Sequence, residues 1–194
     1  MSWSLKPNEF HSWIYETNFF SVQECNRIID TSLNLQLKAA RIGVDPDGVL
    51  HEKVRKNTVG WLNDGNFDWV YRRIVDGVEE LNKRYWQFDL SFIEDLQFTV
   101  YDKLNDHYDY HIDMNMDSEL GPYRKLSFSI QLSNPNDYEG SELQINTGGS
   151  IYDSVPKEQG TLIAFPSFIM HKVTPLTKGK RYSLVAWIHG PNWK

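Results

Sequence analysis

The second half of the chain alternates apolar and polar residues with a period of two, and no other feature limits its possible folds as much. Apolar side chains occupy every second position in the segments 96–100, 126–132 and 184–188. Because successive side chains of a β-strand point to opposite faces, each segment predicts a strand with one apolar and one polar face. Segments rich in Asn, Pro and Gly at 134–136 and 147–149 separate the strands, which indicates an antiparallel sandwich or jelly roll.

The first third of the chain has the longer period that is typical of helices. Ser21 and Glu24 have the spacing of a capping box, and the apolar residues that follow it are Cys25, Ile28, Ile29 and Leu33. A second helix is predicted after the turn-like segment 63–66, and its apolar face consists of Phe67, Val70, Tyr71, Ile74, Val78 and Leu81. The whole pattern predicts a mainly β chain with flanking helices: a double-stranded β-helix (jelly roll) braced by N-terminal α-helices.

Length and composition favour a single domain. The 194 residues contain no repeat and no low-complexity tract, so we expect helical support over about 1–90 and the jelly-roll core over about 91–194. The single cysteine, Cys25, excludes an internal disulfide, and neither a signal peptide nor a membrane span is recognisable, so we expect a cytoplasmic protein. A net charge of −6 disfavours broad nucleic-acid binding.

A candidate metal site combines residues from two predicted strands. His111 and Asp113 are two positions apart, so on a strand they project from the same face. Such a pair is weak evidence by itself, since a surface hydrogen bond explains it equally well. His171 ends a second apolar strand, and two histidines with one carboxylate form the facial triad of non-haem Fe(II) oxygenases. The three residues therefore predict an iron site with open positions.

Arg181 opens the next strand, with Ser183 on the same face. A planar guanidinium can hold a carboxylate with two parallel hydrogen bonds, which suits the far end of a dicarboxylate co-substrate. A surface salt bridge is the alternative. Trp187 lies on the same face, where it either enters a pocket or packs in the core.

Two segments are expected near this site: 40–57, which we interpret as a hairpin or mobile loop with a basic tip, and the loop at 114–124. The first contains Lys53, Arg55 and Lys56, which either form a solvated surface or contact a substrate. We interpret His107 as a loop histidine outside the metal site. The other histidines are interpreted as structural: His11, His51 and His189.

In order and spacing, residues 98–187 resemble the 2-oxoglutarate- and Fe(II)-dependent dioxygenases, and within them the prolyl-4-hydroxylase-like branch. The residues that carry this resemblance are Tyr101, Tyr108, His111, Asp113, the segments 126–132, 138–143 and 160–166, His171, Arg181, Ser183 and Trp187. The resemblance implies Fe(II) on His111, Asp113 and His171. It also implies 2-oxoglutarate and O2 as co-substrates, with release of succinate and CO2 and with ascorbate as a reductant.

Within this resemblance, Arg181 would hold the C5 carboxylate of 2-oxoglutarate, with Tyr101, Ser183 and Trp187 beside the co-substrate. Related enzymes carry a tyrosine on the strand after the His-x-Asp pair, where this chain offers Gln131 or Ser129. The expected reaction is hydroxylation of a prolyl residue in a peptide or protein. Hydroxylation of a free amino acid or another small molecule, and a non-catalytic cupin-like binding module, stay open as alternatives.

Overall fold

The computed structural model describes residues 10–42, 50–62, 65–114, 123–149 and 152–192. These segments contain the α-helices α1 (Val22–Ser32) and α2 (Asp68–Leu81), and α2 continues into a π-helical turn at Asn82–Trp86. The strands, in chain order, are β1 (Ile14–Glu16), β2 (Lys38–Ala39), β3 (Arg55–Lys56), β4 (Thr58–Leu62), β5 (Phe92–Ile93), β6 (Leu96–Tyr101), β7 (His107–His111), β8 (Tyr123–Gln131), β9 (Tyr138–Gly140), β10 (Leu143–Asn146), β11 (Asp153–Ser154), β12 (Leu162–Pro166), β13 (Met170–Val173), β14 (Leu176–Gly179) and β15 (Arg181–Gly190).

The strands pair antiparallel in two larger sheets. The main sheet has the order β1-β12-β8-β15-β6-β4-β2, with β5 paired to β15, and the small sheet has the order β11-β10-β13-β7-β3. Strands β9 and β14 form a separate pair. Residues from both larger sheets line one cavity, as expected for a double-stranded β-helix. The predicted jelly roll with flanking helices is confirmed.

The two helices cover the outer face of the main sheet. Buried residues of α1 and α2, among them Ile28 and Ile74, form one apolar cluster with Phe98, Phe128 and Leu184 of the sheet. Successive residues of a strand point to opposite faces, so the residues that alternate with this cluster face the cavity on the other side of the sheet. The helices thus stabilise the sheet from behind without entering the cavity.

Local contacts set the helix positions. The Ser21 backbone N–H donates to Glu24 Oε2 at 2.8 Å and the Glu24 N–H donates to Ser21 Oγ at 3.2 Å, so the predicted capping box is confirmed. Helix α1 ends at Ser32, and Leu33 is exposed, contrary to its predicted place on the apolar face. Tyr71 connects α2 to the main sheet, since its hydroxyl donates to the carbonyl of Leu62 at 2.6 Å.

The first third is less helical than its sequence suggested, because four short strands lie within it. Strand β4 pairs with β6 from Thr58–Val100 to Leu62–Leu96 and so extends the main sheet. Strand β3 pairs with β7 in the small sheet, which places part of the predicted 40–57 loop in a strand. Residues 43–49 of that loop and 115–122 of the 114–124 loop lie outside the described residues. Neither α1 nor α2, the helices of the described ranges, has the length and apolar surface needed to cross a membrane.

Candidate active site

The polar faces of the main-sheet strands line the cavity. Strand β15 contributes Arg181, Ser183, Val185 and Trp187, while β6 contributes Gln97, Thr99 and Tyr101 and β8 contributes Ser129. The space between these residues amounts to about 470 Å³, a volume that includes open solvent at the mouth of the cavity. The two-faced strands predicted from the alternation are therefore confirmed, and the polar face is the one that surrounds the cavity.

The structure brings the three predicted metal ligands together at one end of this cavity. His111 is the last residue of β7, and it pairs across the small sheet with His171 of β13. His111 Nε2 and His171 Nε2 each lie 3.5 Å from a different carboxylate oxygen of Asp113. One ligand atom from each residue lies within 4.8 Å of the others.

Backbone carbonyls orient both imidazoles. His111 Nδ1 lies 2.8 Å from the carbonyl oxygen of Asp109, and His171 Nδ1 lies 3.0 Å from that of Ile169. Because a carbonyl can only accept, each Nδ1 carries the proton and each Nε2 presents its lone pair toward Asp113. The Asp113 N–H donates to the carbonyl of Ser167 at 2.9 Å, which fixes the third ligand.

Burial and charge set the protonation of the site. Burial lowers the pKa of His171 to about 4, although the Asp113 carboxylate opposes this effect. Burial by itself would raise the pKa of Asp113, but the neighbouring His171 and His111 hold it well below its usual range. At neutral pH the site therefore presents neutral His171 and ionised Asp113, the forms in which these side chains bind metals.

The donor set fits a divalent iron ion. Two imidazole nitrogens and one carboxylate oxygen are the facial ligands of non-haem Fe(II). Ligands about 2.1 Å from a common ion lie roughly 3.0–3.4 Å apart. One ligand atom from each of the three residues lies within 4.8 Å of the others, so the side chains would move closer together on binding an ion.

Arg181 is buried, with 1% of its surface exposed, and lines the cavity. Its Nε and Nη2 donate to Gln131 Oε1 at 3.3 and 2.9 Å, and the Tyr101 ring lies 5.3 Å from its Cζ. Within the described part of the chain, Nη1 of Arg181 has no hydrogen-bond partner. The Gln131 amide nitrogen donates to the carbonyl of Pro156 at 3.1 Å, so this amide is held by the protein on both sides. One free donor of Arg181 is thus available for a buried carboxylate.

Trp187 lines the cavity and also packs against an ion pair. The Arg124 guanidinium lies 4.1 Å above its ring, and Arg124 Nη2 donates to Glu94 Oε2 at 2.7 Å. Trp187 Nε1 is buried without a partner among the described residues. Ser183 and Tyr101 are buried on the same cavity wall.

The remaining histidines lie outside the triad. His107 begins β7 and is half-buried, so it is not the loop residue that was predicted, and its ring nitrogens face the carbonyls of Asn105 and Lys53. His189 contacts Glu94. Sequence reasoning missed the Glu94–Arg124 pair, because its members are 30 residues apart.

Sequence comparison matches residues 96–189 to the 2OG-Fe(II) oxygenase superfamily. A PKHD-type hydroxylase of Synechococcus sp. (strain CC9605) is 41% identical over 81 residues, which are 42% of this chain and 36% of that protein. The curated relatives are matched over less than half of their length, for example 28% of a PKHD-type hydroxylase of Hyphomonas neptunium that is 43% identical over 63 residues.

Solved structures of prolyl hydroxylases share the fold. A Pseudomonas putida prolyl-4-hydroxylase superposes with a TM-score of 0.70 at 20% identity and covers 94% of both chains. A Trichoplax adhaerens prolyl hydroxylase, in complex with a hypoxia inducible factor peptide fragment, has a TM-score of 0.77 at 16% identity over 92% of this chain and 84% of its own.

Sequence, fold and site together resemble the 2OG-Fe(II) oxygenase superfamily, whose sequence pattern matches residues 96–189, just under half of this chain. The resemblance to the prolyl-4-hydroxylase-like branch is confirmed.

Proposed function

We propose that this chain is an Fe(II)- and 2-oxoglutarate-dependent dioxygenase that hydroxylates a prolyl residue of a peptide or protein. The supporting observation is that one cavity contains a His-Asp-His triad and a buried arginine with an unused donor. A binding module would have no need for a buried arginine opposite three metal ligands, so this combination favours an enzyme over a cupin-like module.

His111, Asp113 and His171 would hold Fe(II), the first and last through Nε2. When bound, the iron supplies the redox chemistry that couples O2 to the oxidation of 2-oxoglutarate to succinate and CO2 and to hydroxylation of the substrate. Three protein ligands would leave coordination positions open for the co-substrate and O2. The backbone contacts of both imidazoles keep these ligands in place before the metal arrives.

Arg181 would hold the C5 carboxylate of 2-oxoglutarate. Gln131 fixes the plane of the guanidinium by accepting from Nε and Nη2, and Nη1 is left for the carboxylate. Tyr101 and Ser183 are buried on the same wall and can donate hydroxyl hydrogen bonds to the same group. Phe165 and Val173 line the cavity with apolar surface, which restricts water around the bound keto acid.

A peptidyl substrate is supported by the solved prolyl hydroxylase that binds a peptide fragment on the same fold. The proposal includes ascorbate as a reductant and a single domain. It also includes a cytoplasmic location, because the only cysteine, Cys25, is buried and free.

Incubation with a proline-rich peptide library, Fe(II) and 2-oxoglutarate tests the proposal. Mass spectrometry should detect peptides that gain one oxygen atom, and tandem spectra should place it on proline. Reactions without 2-oxoglutarate, and reactions with His171→Ala, are the matched controls and should give none. Oxidation of free amino acids with no modified peptide would favour the small-molecule alternative, and modification without 2-oxoglutarate would refute the cofactor assignment.

A further inference from the structure

A second arginine, Arg55, lies in the wall of the same cavity with only 8% of its surface exposed. Its Nε donates to Asn57 Oδ1 at 3.0 Å and its Nη2 donates to Gln97 Oε1 at 2.7 Å. Its Nη1 lies 3.5 Å from the carbonyl oxygen of Arg41. All three acceptors are neutral, and across the described ranges Arg55 forms no ion pair with a carboxylate. Its charge is therefore buried without a direct ion pair in these ranges, and the carboxylates of Glu52 and Asp106, which line a neighbouring cavity with it, do not contact it.

Arg55 is connected to the metal site through stacked rings. Its Cζ lies 4.5 Å from the centre of the Tyr108 ring, and that ring stacks on His111 at 3.5 Å with an interplanar angle of 15°. The guanidinium thus occupies the cavity wall on the side of the triad, one aromatic ring away from a metal ligand. A group bound to Arg55 on its cavity side would therefore lie in the same cavity as the three metal ligands.

The two buried arginines contact different ends of one strand face. Arg55 binds Gln97 and Arg181 lies against Tyr101, and these two residues are four positions apart on β6. At a rise of about 3.3 Å per residue, their Cα atoms are roughly 13 Å apart. The two guanidinium groups are therefore separate cationic positions in one cavity, and the co-substrate carboxylate would account for only the one at Arg181.

We propose that Arg55 binds a carboxylate of the substrate, so that the enzyme selects anionic substrates. This inference rests on the proposed function. A buried charge without an opposite charge is costly, and a bound carboxylate would offset that cost with charge-assisted hydrogen bonds. The carboxylate has two possible sources: the free carboxyl group of the residue that is hydroxylated, or an acidic side chain next to it.

A binding experiment tests the charge preference. Wild-type protein with Fe(II) and saturating 2-oxoglutarate, kept free of oxygen, is titrated with N-acetyl-L-proline and with N-acetyl-L-prolinamide. Since the amide lacks the charge, we expect it to bind at least about tenfold more weakly. Arg55→Gln should abolish this difference. Arg55→Lys, which keeps the charge, should preserve part of the difference in affinity between the two probes. This result would show that the loss in Arg55→Gln is not caused by a folding defect.

Lys56→Gln is the matched control, because it removes one positive charge from the same strand. The Lys56 ammonium donates to the carbonyl of Leu104 at 3.1 Å and lies 3.9 Å from Asp106, outside the triad cavity. This variant should retain the wild-type preference. A second pair of probes, acetyl-Pro-Asp-amide and acetyl-Pro-Asn-amide, identifies the source of the carboxylate. Tighter binding of the Asp probe than of the Asn probe assigns an acidic side chain. Tighter binding of the charged probe in the first pair alone assigns the free carboxyl group.

Equal binding of all matched probes by the wild type, or no binding of any, would overturn the role of Arg55. A preference that persists in Arg55→Gln would overturn it as well and would assign the carboxylate to another cation. Failure of the wild type to bind 2-oxoglutarate would instead overturn the proposed function. The two failures are therefore distinguishable in the same titrations.

Discussion

Arg181 donates two hydrogen bonds to a single oxygen atom of Gln131, from Nε at 3.3 Å and from Nη2 at 2.9 Å. This arrangement uses one edge of the guanidinium and leaves Nη1 without a partner in the part of the chain that the structure describes. In the resemblance inferred from the sequence, related enzymes carry a tyrosine on this strand, where this chain offers Gln131 or Ser129. The glutamine positions the arginine instead of adding a hydroxyl, because the protein already engages both ends of its amide.

The first prediction concerns this pair. Arg181→Lys keeps the positive charge but loses the planar fork, so the affinity for 2-oxoglutarate should fall about tenfold or more, one charge-assisted hydrogen bond being worth about 1.5–3 kcal/mol. Calorimetric titration of the metal-loaded protein measures the change. Arg73→Lys, at a surface arginine paired with Glu24, is the control and should bind like the wild type. Unchanged affinity in Arg181→Lys would mean that the carboxylate is held elsewhere.

The second prediction concerns the pH dependence of stability in the metal-free protein. His171 has a pKa of about 4 in the folded state against about 6.5 when exposed, so the unfolded state binds more protons between these values. The free energy of unfolding should therefore decrease as the pH falls from 6.5 to 4, by at most about 3 kcal/mol for a shift of this size. Protonation of Asp113, whose folded pKa is also lowered, destabilises the fold further at still lower pH.

Urea unfolding at several pH values measures this slope. His171→Asn removes the titrating group and should flatten the curve between pH 6.5 and 4, whereas His51→Asn, at an exposed position, should not. A wild-type curve as flat as that of His171→Asn would show that burial of His171 does not control the pH response.

The third prediction concerns the only cysteine. Cys25 is fully buried under the main sheet, and burial raises the pKa of its thiol to about 12. Since the thiolate is the reactive form, a water-soluble disulfide reagent should leave the folded protein unmodified and should react rapidly after unfolding in urea. Rapid reaction of the folded protein would contradict the packing of α1 on the sheet.

The fourth prediction concerns the metal ligands. His171→Ala leaves two protein ligands and should lose most of its Fe(II) affinity, because few sites hold a labile divalent ion with only two. Metal content after dialysis measures this, and an X-ray structure of the loaded wild type should show the ion about 2.0–2.2 Å from His111, Asp113 and His171. An ion bound through His107 or His189 instead would contradict the assignment.

The sequence predicted the parts of the fold that depend on local periodicity. The alternation over 184–188 gave the correct inner and outer faces of β15, and the capping box at Ser21 gave the start of α1. Strands β2, β3 and β4 were missed because they are two to five residues long, and segments this short carry too few alternations to distinguish them from loops.

The candidate site could likewise be predicted only where it depends on residues close together in the sequence. His111 and Asp113 could be paired from their spacing, although β7 ends at His111 and Asp113 lies beyond the strand, contrary to the prediction of one shared strand. Their distance from His171 depends on the register of β7 with β13. The burial of Arg55 could not be predicted at all. Its strand has two residues, and its surroundings come from Gln97 and Tyr108, more than 40 positions away.

The most direct test of the enzyme assignment is the conversion of 2-oxoglutarate to succinate, followed by NMR with purified protein, O2 and the peptide library. We expect succinate formation that requires Fe(II) and is lost in His171→Ala. It should persist in His107→Gln, because the His107 ring of the wild type faces backbone carbonyls outside the triad. Succinate formed at the wild-type rate by His171→Ala, or none formed by the Fe(II)-loaded wild type, would contradict it.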